Sequence, residues 1–144
     1  MTESAARADA HDAASTLHRA LGLLLVRRKN MTEALTEIRR AAELSPEDAD
    51  AQYTLAVALY SSGQQAAAVQ LLDRTWRSHP GDRTILAGLA NYVRERGDLA
   101  RAEDLATRLV DLSKGDPAAQ ALLDEIRQAR TAVQSKPAAA APRR

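Results

Sequence analysis

The feature that most constrains this chain is a 34-residue repeat. Leu21, Leu55 and Leu89 stand 34 apart, as do Gly22, Ala56 and Ala90, and Ala34, Ala68 and Ala102. Pro46 and Pro80 keep the same step, and so do Gly63 and Gly97. Five columns in one phase do not arise by chance. A period of this size marks a stack of like supersecondary units, each too small to bury its own apolar face. The fold is therefore set by a unit and its neighbour.

Each unit reads as two helices joined by a tight turn. In the first, Leu17, Leu21, Leu24 and Leu25 recur at helical spacing. A turn at Arg28–Asn30 follows, with Asn30 as the cap of a second helix and Glu33 as its capping-box partner. Ala34, Ile38 and Ala41 line one face of that helix. Ser45-Pro46-Glu47-Asp48 then supplies a capping serine, a proline in the first turn and acids at the positive end of the helix dipole. The second unit repeats this with Leu55, Ala56 and Leu59 up to Gly63, then Ala68, Leu72 and Trp76 up to His79-Pro80-Gly81-Asp82. The third carries Leu86, Leu89, Ala90 and Val93 to Gly97-Asp98, then Ala102, Leu105, Ala106 and Leu109.

A fourth first helix starts in phase at Gly115-Asp116-Pro117, and Leu123 matches Leu89. Asp124 and Arg127 replace Ala90 and Val93, however. Polar residues at those packing columns cannot receive another helix, so residues 116–133 read as a C-terminal capping helix, the device an open stack needs for solubility. Residues 1–10 form an N-terminal extension, partly disordered or helical. Residues 134–144, mostly Ala, Pro and Arg, read as a disordered tail.

Composition agrees with stacked helices. Hydrophobic residues are 45% of the chain, yet there is no Phe and only one Trp, so the apolar content is Ala, Leu and Val. Small side chains let helices approach closely, whereas a sandwich or barrel calls for more β-branched and aromatic residues. Twenty basic and 19 acidic residues leave a net charge of +1, without the basic footprint of a nucleic-acid binder. There is no Cys, which excludes disulfides, thiolate metal sites and a Cys nucleophile. No apolar run is long enough for membrane insertion, and residues 1–10 lack an apolar segment of the signal-peptide kind. A full chain of this kind is expected in the cytoplasm, a fragment of a secreted protein in the periplasm. His11 and His18 lie two turns apart, about 10 Å along a helix, too far to share one metal ion. No phosphate loop, zinc-protease or serine-hydrolase motif is present. The chain is read as non-enzymatic, with no cofactor and no metal.

The repeat columns resemble the tetratricopeptide repeat (TPR), whose pattern is W-x2-L-G-x2-Y…A-x3-F…P. The first unit reads His18-x2-Leu21-Gly22-x2-Leu25…Ala34-x3-Ile38…Pro46. The second reads Gln52-x2-Leu55-Ala56-x2-Leu59…Ala68-x3-Leu72…Pro80. The third reads Leu86-x2-Leu89-Ala90-x2-Val93…Ala102-x3-Ala106, with Lys114 in place of the last proline. The resemblance implies an all-α fold, a right-handed α-α superhelix of three helix pairs (about 15–48, 49–82 and 83–116) plus the capping helix, within a domain of residues 11–133. It also implies a concave face lined by the first helix of each pair. On that face the candidate partner-binding residues are Arg19, Leu23, Val26, Arg27, Tyr53, Thr54, Val57, Tyr60, Asn91 and Arg94. Tyr53 and Tyr60 are seven residues apart on one helix and are expected to point the same way. The family's carboxylate clamp would need basic or amide side chains at Arg19, Leu23, Thr54, Thr84 and Gly88, and only Arg19 qualifies. Trp76 and Tyr92 fall on packing columns.

Two functional expectations follow. The first is a module that binds a peptide or protein partner in its concave groove. The second is an assembly or homo-oligomerisation scaffold. The run from Gly22 to Arg83 is also similar to the TPR regions at the C-termini of periplasmic multihaem cytochromes, although the chain has no C-x-x-C-H and so carries no haem itself.

Overall fold

Asp48, Asp82 and Asp116 stand 34 residues apart, and each caps a helix in the computed structural model of this protein. The structure describes residues 3–27 and 30–136. Arg28, Lys29, the Leu25 side chain and the tail from residue 137 lie outside the described residues, together with the expectations that fall on them. The described residues form seven α-helices and no strand: α1 (Glu3–Arg27), α2 (Met31–Leu44), α3 (Ala49–Ser61), α4 (Gln65–Ser78), α5 (Arg83–Glu95), α6 (Leu99–Leu112) and α7 (Pro117–Ser135). The helices α1–α4 make one compact unit and α5–α7 a second.

The boundaries are built from repeated local chemistry. The Asp48 carboxylate accepts from the N–H groups of Asp50 (2.9 Å) and Ala51 (3.4 Å). Asp82 accepts from Ile85 N–H (3.1 Å), Asp98 from Arg101 N–H (3.2 Å) and Asp116 from Ala118 N–H (2.9 Å). Each satisfies donors that a helix start leaves open. This corrects the assignment of Ser45 as the cap of α3. Ser45 ends α2 instead, and its buried hydroxyl donates to the Asp12 carboxylate of α1 at 3.2 Å. Facing inward, it cannot reach the first N–H groups of α3, and the chain turns through Pro46 and Glu47 before Asp48 caps the helix. Asn30 does cap α2, accepting from Glu33 N–H at 3.4 Å. At the other ends, Gly63 and Gly97 take φ of 88° and 87°, the left-handed region that glycine enters without steric cost. There Gln64 N–H reaches back to Leu59 O (2.8 Å) and Asp98 N–H to Val93 O (3.2 Å), which closes α3 and α5.

In the first unit, α2 packs on α1 and on α3, and α3 packs on α4. The α1–α2 contact is close because Gly22 has no side chain: a Cβ placed there would run into Cγ1 of Ile38 and lie 3.1 Å from the Ala34 carbonyl oxygen. Ala34 and Ala68 are fully buried, as is their counterpart Ala102 in the second unit. Polar ties cross the same seams. Ser15 Oγ donates to Ala41 O at 2.9 Å, Gln52 Nε2 to Ala42 O at 3.0 Å, and His18 Nδ1 meets the Glu37 carboxylate. His79 is held in its turn, with Nδ1 3.2 Å from Thr75 O. Trp76 and Tyr92 are half-buried.

Three leucines of α1 depart from the expected packing. Leu17, Leu21 and Leu24 are 71%, 44% and 54% exposed, although Leu21 shares a column with the buried Leu55 and Leu89. Their face of α1 points to where a preceding helix pair would lie, and none precedes α1 among the described residues. The ten-residue extension is continuous with α1, which is helical from Glu3.

In the second unit, α6 packs on α5 and α7 on α6. Ala119, Leu123 and Ile126 of α7 are buried, while Asp124 and Arg127 are exposed. Glu103 of α6 accepts from Arg130 (2.7 Å) and Arg127 (3.3 Å) of α7. The hydrogen bond from Arg130, then that from Arg127, holds the Glu103 carboxyl below the usual carboxylate range.

Two outcomes follow. Gly22→Val forces α1 and α2 apart and is expected to cost about 1–3 kcal/mol, the usual range for overpacking, as measured by urea unfolding of the helical circular dichroism signal. A value near zero would mean that the close approach is not needed. Glu103 has a lowered pKa in the folded state, so its contribution is complete above the unfolded-state pKa and is lost as pH falls through the folded-state value. Glu103→Gln is therefore expected to lower the melting temperature at neutral pH, with the gap to the parent closing in acid. A gap of equal size at both pH values would show that the ion pairs do not set it.

Candidate functional site

On α1, the residues Arg19, Leu23 and Arg27 form a row at four-residue steps, and Val26 sits beside it. On α3, Tyr53, Val57 and Ser61 form a second such row with Thr54 alongside. The two rows meet over α2. Between them lies a cavity of about 320 Å³ lined by Leu23, Val26, Met31, Ile38, Tyr53, Thr54, Val57, Ala58 and Ser61. Its walls are almost wholly apolar. Ile38 and Ala58 are buried and form its floor, while Leu23, 48% exposed, stands at the rim. The Thr54 hydroxyl donates to Asp50 O at 2.8 Å, which leaves its lone pairs free to accept.

Five of the ten candidate residues thus converge on one cavity: Leu23, Val26, Tyr53, Thr54 and Val57. Arg19 and Arg27 do not line it. They flank Leu23 one turn to either side, about 6 Å along the helix axis, and neither enters an ion pair among the described residues. Tyr60 is half-buried, engaged with a neighbour and outside the lining. At about 100° per residue, Thr54, Val57 and Ser61 lie round one side of Tyr53 toward α1, and Tyr60 lies about 20° to the other side. Of the two tyrosines expected to point the same way, Tyr53 lines the cavity and Tyr60 lies outside it. Asn91 and Arg94 belong to the second unit. The Asn91 amide donates to Ala87 O on its own helix (3.0 Å), and Arg94 pairs with Glu125 of α7 at 2.7 Å. Arg94 is thereby engaged in joining α5 to α7.

Met31, Ile38, Ala58 and Ser61 line the cavity without having been singled out as candidates. Ser61 was legible, since it continues the row from Tyr53 through Val57. Met31 and Ile38 come from the second helix of the pair, which a reading confined to first helices leaves out. A larger cavity of about 410 Å³ lies on α2–α4 and is lined in part by Arg39, Glu43, Glu47 and Arg74. Charged side chains of both signs stand in its wall, so an apolar ligand there would desolvate charge. Among the described residues, no three His, Asp or Glu side chains gather to hold a metal ion, and no helix is long and apolar enough to cross a membrane.

Residues 25–92 match the family model described as tetratricopeptide repeat. The chain is 32% identical over 103 residues to the bacteriophage adsorption protein A of Escherichia coli (strain K12), a match covering 72% of this chain and 10% of that protein. It thus spans about a tenth of the length of that curated relative. Among solved structures, it is similar to the first TPR of Spaghetti (RPAP3) bound to the HSP90 peptide SRMEEVD, with a TM-score of 0.73, 14% identity, and coverage of 83% of this chain and 95% of that one. The Arabidopsis OM64 TPR domain gives 0.72 at 13% identity, covering 83% and 98%. MamA from Desulfovibrio magneticus RS-1 gives 0.72 at 19% identity, covering 84% and 68%. At these identities the likeness is one of fold.

Proposed function

Because this chain is a tetratricopeptide repeat protein, we propose that it is a protein-interaction module whose α1–α3 trough holds a segment of a partner by one apolar side chain. The cavity of about 320 Å³ carries this reading, because five concave-face residues from two repeats converge on it. That volume accommodates a Leu, Met or Phe side chain, and filling it removes apolar surface from water at roughly 25 cal/mol per Å². Arg19 and Arg27, on the same side of α1 as Leu23, favour acidic residues beside the anchor, through charge that salt would screen.

The solved neighbour bound to SRMEEVD shows that this fold can hold an acidic peptide. The present chain differs at the columns that would clamp a terminal carboxylate, where Leu23, Thr54, Thr84 and Gly88 stand. One arginine does not replace several convergent donors. The apolar cavity then supplies the larger share of the binding energy and the arginines supply orientation.

Selection from a phage-displayed dodecamer library, followed by fluorescence anisotropy on the synthetic peptides, tests the reading. The enriched peptides are expected to share an aliphatic or aromatic anchor next to Asp or Glu. Val57→Asp and Tyr53→Ala are each expected to weaken binding about tenfold or more, equal to about 1.4 kcal/mol, with helical content unchanged. Arg27→Glu is expected to flatten the salt dependence. Peptides that bind Val57→Asp and the parent equally well would remove the cavity from the mechanism.

A further inference from the structure

Met31 opens α2 and lines the α1–α3 cavity with Leu23, Val26, Tyr53 and Val57. It is half-buried, so a small reagent that enters the cavity reaches it from solvent. The chain has two methionines, and the other, Met1, lies outside the described residues. There is no cysteine. Met31 is therefore the one oxidisable sulfur among the described residues, and no thiol of the chain intercepts an oxidant before it.

Counted on by 34, Met31 aligns with Gln65 and Leu99, the opening residues of α4 and α6. Gln65 is exposed and Leu99 half-buried. The column thus accepts an amide or an aliphatic side chain, and the helix pair does not require sulfur there. A thioether differs from both in one chemical respect, which is that it takes up and releases an oxygen atom reversibly.

We infer that Met31 is a modification site, and that its oxidation by a peroxide makes the trough wall polar and releases the partner segment. The inference rests on the trough being the binding surface. In the step, a lone pair of the Met31 sulfur attacks one oxygen of hydrogen peroxide. An S–O bond forms and the O–O bond breaks. The departing hydroxide takes the proton of the transferred oxygen and leaves as water, so sulfur is oxidised and the peroxide reduced. A methionine sulfoxide reductase, drawing electrons from thiols, removes the oxygen as water and restores the thioether.

The product is polar and chiral where the thioether was apolar and flexible. The Thr54 hydroxyl already donates to Asp50 O at 2.8 Å, which leaves Tyr53, Ser61 and water to solvate the new oxygen. An anchor side chain seated in the cavity expels that water, so oxidation penalises the bound state. The free chain stays folded, because a polar residue already opens α4 at the same column.

Trypsin cuts after Lys29 and Arg39, so in the full chain Met31 is read on residues 30–39, apart from Met1. After hydrogen peroxide, mass spectrometry is expected to show one added oxygen on that fragment, taken up more slowly when a dodecamer selected by the parent is bound. Anisotropy with the same labelled dodecamer is expected to show binding weakened about tenfold in the oxidised chain, with unchanged circular dichroism. The two stereospecific methionine sulfoxide reductases with dithiothreitol are expected to restore it. Met31→Leu is expected to bind like the parent and to keep its affinity through peroxide, and Met31→Gln to bind weakly without treatment. An oxidised parent that binds as tightly as the reduced one overturns the inference while the trough stands. So does a Met31→Leu chain that loses affinity on oxidation as the parent does. A loss of helical signal shared by the oxidised chain and Met31→Gln assigns Met31 to stability and overturns it as well. A parent that captures no dodecamer, or captures one equally well after Val57→Asp, removes the trough and this inference with it.

Discussion

A pair of short helices has more apolar surface than it can hide between its own two members, and every other feature of this chain answers to that excess. Within the pair, contact is limited by how closely two backbones approach. Gly22 under Ile38 shows the limit, since even one added carbon at Gly22 would collide with that side chain. What remains exposed must be covered by the next pair or made polar. Ala51, Leu55 and Ala58 take the first course. Asp124 and Arg127 take the second, on a helix whose inward residues Ala119, Leu123 and Ile126 are as deeply buried as those of its predecessors. Leu17, Leu21 and Leu24 of α1 take neither course among the described residues.

The repeat made the fold legible because each physical requirement left a mark at the same phase. Fully buried alanines at 34, 68 and 102, positive-φ glycines at 63 and 97, and capping aspartates at 48, 82 and 116 are three such marks. Ser45 was misread because a serine before a proline is a good cap in isolation, and the sequence does not show that its hydroxyl would instead meet Asp12, 33 residues earlier. Leu21 shows a related limit. A column predicts burial only where a neighbour exists to supply it, and α1 has no preceding pair among the described residues.

The candidate site was legible in part. Periodicity puts Leu23 and Val26 on one helix face and Tyr53, Thr54 and Val57 on another, and these five meet. It does not reveal how far each row leans toward its neighbour, which is why Tyr60 falls outside and Ser61 inside. Nor does it show which charges are already spent. Arg94 carries the same charge as Arg27, yet its guanidinium is bound to Glu125, and only a tertiary contact separates the two. Met31 and Ile38 entered because a cavity between first helices is floored by the second helix of the pair.

Helix α1 therefore presents three surfaces with different chemistry. One is small and polar, with Ser15, His18 and Gly22 fitted against α2. A second is mixed, where Leu23 and Val26 offer apolar area between two arginines. The third is an uncharged seam of Ala10, Ala14, Leu17, Leu21 and Leu24. Fixing the first fixes the direction of the other two, because a helix is rigid over this length and its faces are set by residue spacing. A sequence change that rotates or separates α1 from α2 must then disturb the trough and the seam together, though no atom of either is altered. A change confined to the seam leaves the trough as it was. The bond from Ser15 to Ala41 and the fit of Gly22 on Ile38 thus set the direction of both faces, and the two faces remain separable from each other.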